Sequence, residues 1–151
     1  MKKVCVALGV AVVLWTAWHY WLRSSRERAV AAVLIAEAGG EGKVGMEAVA
    51  EVILNRHLHS KRSFMQIICK PKAFSCLNNT TKGRLKKRAA RHPRYKEALA
   101  IARTLFRHPD ALPRRLNGAN HYARSEVQPY WADGVAPVAV LGHHTFWKLG
   151  S

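Results

Sequence analysis

Ile35-Ala36-Glu37-Ala38-Gly39-Gly40-Glu41-Gly42 decides how the chain is read. It ends a helix on a run of glycines and leaves an acid on that helix's apolar face. Counting back from Glu37, Val30, Val33 and Leu34 lie seven, four and three residues away, the offsets of one helical face. Glu37 therefore points toward the core side. A carboxyl in a partly apolar setting is costly to ionise, so a raised pKa and the work of a general acid are expected of it. Gly39 and Gly40 stop the helix and let the chain turn closely over whatever approaches the carboxyl. Taken alone, the stretch also fits an ordinary helical glutamate near a C-terminus.

Downstream, Met46, Val49, Ala50, Ile53, Leu54 and His57 recur at three- and four-residue steps. They predict a helix over 44–59, with one buried face, hairpinned against the first. Asn55-Arg56 at its end reads as structural. Ser63 reads as the N-cap of a short helix through Ile68, stopped by Pro71, and a loop with an aromatic ring, hydroxyls and amides follows over 70–79. Residues 80–94 are strongly basic, which reads as a solvated face or as a surface drawn to an anionic polymer. Pro93 at a first helical position opens a helix carrying Tyr95, Ala98, Leu99, Ala102, Leu105 and Phe106 on one face, ending before Pro109. The last third is broken by prolines, and 119–123, 138–141 and 144–147 read as short strands. Helices followed by short strands make the fold class α+β.

Upstream, Val4 to Leu22 is a mostly apolar run behind Lys2 and Lys3, about 28 Å long as a helix against a hydrocarbon core of roughly 30 Å. Trp15, Trp18, Tyr20 and Trp21 crowd its end, and Arg23, Arg26 and Arg28 follow. No small-residue cleavage site precedes the aromatic cluster. The expectation is an uncleaved signal anchor over 1–25, with one transmembrane helix through residues 4–22, ahead of a catalytic domain over 26–151. The three arginines outnumber the two lysines, which argues for the opposite orientation, with the domain kept in the cytoplasm.

The chain has 25 basic and 9 acidic residues and a formal charge of +16, which implies a polyanionic partner: nucleic acid, an anionic membrane or a cell wall. No DNA- or RNA-binding motif accompanies the basic run, so no specific nucleic acid is expected. The 49% apolar content excludes disorder. The eight histidines include no His-Glu-x-x-His, and His143 and His144 would face opposite sides of a strand, so no metal is expected. Cys69 and Cys76 bracket a short loop and fit no zinc spacing; they read as a disulfide if the domain is exported, or as two buried thiols. Cys5 lies inside the apolar run.

Together these blocks resemble the SleB-type cell-wall hydrolases. The resemblance runs from Arg28 to Lys148. Ile35 to Gly42 is similar to the family's Ala-Glu-Ala-x-Gly-Glu signature, and 45–56 to the helix that follows it. Lys70-Pro71-x-x-Phe74-Ser75-Cys76-x-Asn78 is similar to its Lys-Pro-x-Gln-Phe-Ser-Cys-Trp-Asn. Gly118 to Tyr122, Pro129 to Ala132 and Leu141 to Phe146 are similar to its three later blocks. Ala73, Leu77 and Gly39 depart from it, standing where Gln, Trp and Arg are common, which bears on substrate preference.

The resemblance implies a mainly helical, lysozyme-like domain that cleaves peptidoglycan glycan strands between N-acetylmuramic acid and N-acetylglucosamine, without a cofactor and as a monomer. Glu37 matches the catalytic acid. Glu41 is either a second carboxyl or a turn-capping residue, and Glu47, Glu51 and Asp133 have weaker claims. Phe74, Ser75, Asn78, His121, Tyr122, Trp131 and His144 are the candidates for binding sugar or orienting Glu37. Lytic transglycosylation and hydrolysis of the same bond both remain open, as does a non-catalytic basic wall- or nucleic-acid-binding membrane protein. The expected location is the cytoplasmic membrane with the domain on the periplasmic or wall side, anchored or released, in phage lysis or in wall remodelling.

Overall fold

The computed structural model describes residues 2–78 and 80–150, with side chains from residue 13 onward. Its first element is a single helix, α1 (Lys2–Ala38). Neither Gly nor Pro occurs between Gly9 and Gly39, so nothing interrupts the helical hydrogen bonds before the Gly39–Glu41 turn. The helix changes environment along its length. Trp15, Trp18, Tyr20 and Trp21 are exposed, whereas Val30, Val33 and Leu34 are fully buried.

This corrects the expectation of a separate transmembrane helix ahead of the domain. Among the described residues, no helix is long and apolar enough to cross a membrane. Residues 4–12 of the expected span, Cys5 included, lie outside the described side chains. The remainder mixes Thr16, His19 and Tyr20 with its apolar residues, and the same helix continues past Arg23, Arg26 and Arg28 into the core.

The other helices are α2 (Gly42–Ser60), α3 (Phe64–Ile68), α4 (Lys82–Ala89) and α5 (Tyr95–Arg107). Ser63 and Gln66 form a reciprocal capping box at the start of α3. Pro93 lies in the turn before α5 and not at its first position. Part of the basic run, read as a solvated face or as a surface drawn to an anionic polymer, folds as α4. Thr81 accepts a hydrogen bond from the Arg84 amide there, while Leu85 and Ala89 are buried against α1.

α2 is the central element. Met46, Val49, Ala50, Ile53 and Leu54 join a core with α1, α3, α4 and α5, while Ala48 and Val52 pack with Leu116, Ala119 and Phe146 in a second, smaller core. Two faces are thus buried where one was expected. Glu47, Glu51 and Asn55, spaced four apart between those faces, satisfy the irregular segment that crosses α2. Glu51 accepts from the amides of Arg115 and Leu116 at 2.8 and 3.1 Å, and the Asn55 side-chain amide donates to the Ala119 carbonyl at 2.8 Å.

The C-terminal third is a three-stranded antiparallel sheet of order β1-β3-β2, with β1 (His121–Arg124), β2 (Ala139–Leu141) and β3 (His144–Trp147). Tyr122 pairs with Phe146 and Arg124 with His144. Phe146 anchors the sheet in the second core, and Tyr122 on β1 reaches toward the end of α1.

Candidate active site

Glu37 is half-buried in the last turn of α1. Its Oε1 accepts from the Ser75 hydroxyl at 3.2 Å and the Cys76 amide at 3.1 Å, and its Oε2 accepts from the Tyr122 hydroxyl at 2.9 Å. The Ser75–Leu77 turn supplies two donors and β1 the third, so the carboxyl sits where helix, loop and sheet meet. Two of the three donors are hydroxyls. They rotate, and so serve Glu37 both as a carboxylate and as an acid.

The surroundings keep these donors protonated. Burial, and then the neighbouring Glu37 charge, raises the Tyr122 phenol well above its ordinary value. The Cys76 thiol is pushed up to about 12, first by burial and next by Glu37. Cys69 and Cys76 are both half-buried free thiols in this structure, and the Cys76 backbone amide is the group that meets Glu37.

Arg56, at the end of α2, builds the site's frame. Its guanidinium donates to the carbonyls of Asn120 at 2.6 Å and Ala73 at 3.3 Å, and lies over the Phe74 ring at 5.2 Å. This ties the 70–76 loop and the start of β1 to α2. Phe74 is 2% exposed and belongs to the core, so it supports the loop from beneath and presents no face to a sugar. Asn78 is exposed at the end of the same turn.

Glu41, the last residue of the Gly39–Glu41 turn, is bonded to His144 Nδ1 at 2.6 Å. Two glycines make its slot. A Cβ on Gly142 would lie 2.6 Å from the Glu41 carboxylate, and one on Gly45 would lie 2.5 Å from its Cβ. His144 packs edge-on to Tyr122 with ring centroids 5.2 Å apart, so Glu41 and His144 brace the tyrosine that holds Glu37. His121 accepts or donates at 2.9 Å with the Asn120 side chain and packs against Trp131, which meets Trp147 edge-on. Burial, then Arg56 and Lys70, lowers the His121 pKa. Glu47 and Glu51 are occupied with Arg115 and with the backbone of 115–116, and Asp133 is exposed.

Residues 40–147 match the family described as cell wall hydrolases, across most of the chain. The chain belongs to the cell wall hydrolase family. It is therefore an enzyme of the wall-degrading class, and the match starts just after Glu37 and takes in the Ser75 turn and the sheet. Two solved structures share the hydrolase's fold. The catalytic domain of the germination-specific lytic transglycosylase SleB from Bacillus anthracis is 20% identical, with a TM-score of 0.63 over 82% of this chain and 94% of that one. The catalytic domain of the Bacillus cereus SleB protein is 21% identical, with a TM-score of 0.56 over 82% of this chain and 90% of that one. Among curated protein sequences, none matches the hydrolase.

Of the expected site residues, Glu37, Ser75 and Tyr122 come together directly, with His144 behind Tyr122. Arg56 was read as structural, but not as the frame of this site, and the Cys76 amide was not foreseen. A backbone donor leaves no mark on the sequence, and Arg56 resembled any helix-terminal arginine.

Proposed function

We propose that this hydrolase cleaves the peptidoglycan glycan strand between N-acetylmuramic acid and N-acetylglucosamine by lytic transglycosylation, with Glu37 as both general acid and general base. The observation that carries this reading is that, among the described residues, Glu37 is the one carboxyl held by donors from both the Ser75–Leu77 turn and β1. Glu41 is bound to His144, Glu47 to Arg115, and Glu51 to two backbone amides. With their partners in place, none of these three is a free second carboxyl to activate water, as an inverting or retaining hydrolase requires.

In the proposed reaction the Glu37 carboxyl gives its proton to the glycosidic oxygen, which departs as the 4-hydroxyl of N-acetylglucosamine. The muramyl anomeric carbon gains oxocarbenium character, and the Glu37 carboxylate offsets that charge. The muramyl 6-hydroxyl then bonds to the anomeric carbon and returns its proton to Glu37. The product is a 1,6-anhydro ring, and no water is consumed. Tyr122 and Ser75 hold the carboxyl in place, and His121 with Trp131 and the exposed Asn78 are assigned to the sugar. The polymer lies outside the cytoplasmic membrane, so the proposed site of action is the periplasmic or wall side.

Digestion of purified peptidoglycan in water enriched in oxygen-18 tests the reaction class. The expected products carry no label. One heavy oxygen at each new reducing end would replace transglycosylation by hydrolysis of the same bond.

A further inference from the structure

Beside its buried Leu85 and Ala89, α4 carries Arg84 and Arg88, one turn apart and both exposed. Between these arginines and the end of α1 lies a cleft of about 770 Å³, whose walls include Ala36, Ser75, Cys76, Arg84, Arg88 and His92. Ser75 and Cys76 are two of the residues that hold Glu37, so the cleft borders the groups that position the carboxyl. The His92 ring closes the cleft against the turn after Glu37, 3.3 Å from where a Cβ on Gly39 would stand.

The other arginines near acids are already engaged: Arg94 with Glu97, Arg103 and Arg107 with Glu27, Arg115 with Glu47. Among the described residues, Arg84 and Arg88 face the cleft without a carboxylate partner. A planar guanidinium matches a carboxylate and binds it through paired N–H donors, and a second one a helical turn away adds to the attraction. A neutral sugar gains nothing comparable from them. Peptidoglycan carries carboxylates only on its muramyl residues, either on the lactyl group or on the peptide attached to it, so this charge falls on one sugar of each repeat.

We propose that Arg84 and Arg88 form an anion subsite that selects glycan strands whose muramyl residues bear free carboxylates. The subsite rests on the glycan-cleaving reading above. It sets which strands are cut, and fixes which sugar lies on the α4 side of Glu37.

The test compares three substrates with the full chain: peptide-bearing glycan, the same glycan stripped of peptide to leave lactyl carboxylates, and stripped glycan with those carboxylates converted to methyl amides. The parent is expected to favour carboxylate-bearing over amidated glycan about tenfold in kcat/KM, and about 0.5 M salt is expected to shrink the preference. The Arg84→Gln/Arg88→Gln variant is expected to bring the ratio to about one, and Arg84→Lys/Arg88→Lys to keep part of it. Preference for peptide-bearing glycan alone assigns the site to the peptide's carboxylates, preference for the stripped glycan alone assigns it to the lactyl group, and preference for both over the amidated form shows that it takes either carboxylate. A parent without preference, or a glutamine variant that retains it, overturns the subsite. Calorimetric binding of the same glycans to a Glu37→Gln chain separates the two readings. Discrimination in binding without cleavage by the parent sinks the glycosidase and leaves the subsite, while cleavage without discrimination does the reverse.

Discussion

Glu37 is held by donors 38, 39 and 85 residues away in sequence. The acid itself was legible, because its offsets from Val30, Val33 and Leu34 put it on the inner helical face. Its donors were not, because only tertiary packing brings them near. Removing the most buried of them is the sharpest probe of their role. Tyr122→Phe keeps the ring's packing on His144 and Phe146 and removes only the hydroxyl, so kcat should fall about tenfold to a hundredfold while the melting temperature changes little. Steady-state rates and a thermal melt read both. The Cys76 thiol gives a second residue-scale expectation. Its folded pKa of about 12 exceeds the ordinary 9.0, so the unfolded chain loses this proton first as pH rises. The stabilisation linked to the thiol is fully present below pH 9.0 and is lost as pH rises through about 12. Denaturant titrations across that range should give Cys76→Ala a flatter alkaline decline than the parent. Equal slopes would remove the thiol from the balance.

At the scale of elements, α2 shows why periodicity captured only part of the fold. Its apolar residues at three- and four-residue steps revealed one buried face, but not that Glu47, Glu51 and Asn55 are the partners of a crossing loop. The spacing of four between them was the available signal. Glu51 is 2% exposed and satisfies two backbone amides, so Glu51→Ala should cost about 2–4 kcal/mol by leaving buried donors unpaired, and Glu51→Gln less. Chemical denaturation measures the difference. α4 went unread for a related reason: seven basic residues over 82–94 hid a helix whose signals were the Thr81 cap and the four-residue spacing of Leu85 and Ala89. At the β2–β3 turn, Gly142 has φ +59° and lies against Glu41. Gly142→Ala should therefore push Glu41 off His144, lowering both the melting temperature and the rate; an unchanged rate would show that the brace behind Tyr122 is dispensable.

At the scale of the molecule, the α+β order of helices and then short strands was legible from the prolines of the last third. The long N-terminal helix was read instead as a separate span, because its apolar run resembles one until the continuous helix carries it into the core. About 20% identity to a domain of the same fold shows how few positions the architecture demands. The formal charge of +16 exceeds what the site uses. Adsorption to an anionic wall should weaken steeply with ionic strength, and sedimentation of a Glu37→Gln chain with purified wall at rising salt checks this without cleavage intervening. The most direct test of the central claim is mass spectrometry of the soluble products released from peptidoglycan by the parent and by Glu37→Gln. Anhydro-muropeptides from the parent, and at least about a thousandfold fewer from the variant, are the expected result. The same products at the same rate from Glu37→Gln would contradict it, and would move the acid elsewhere in the cleft.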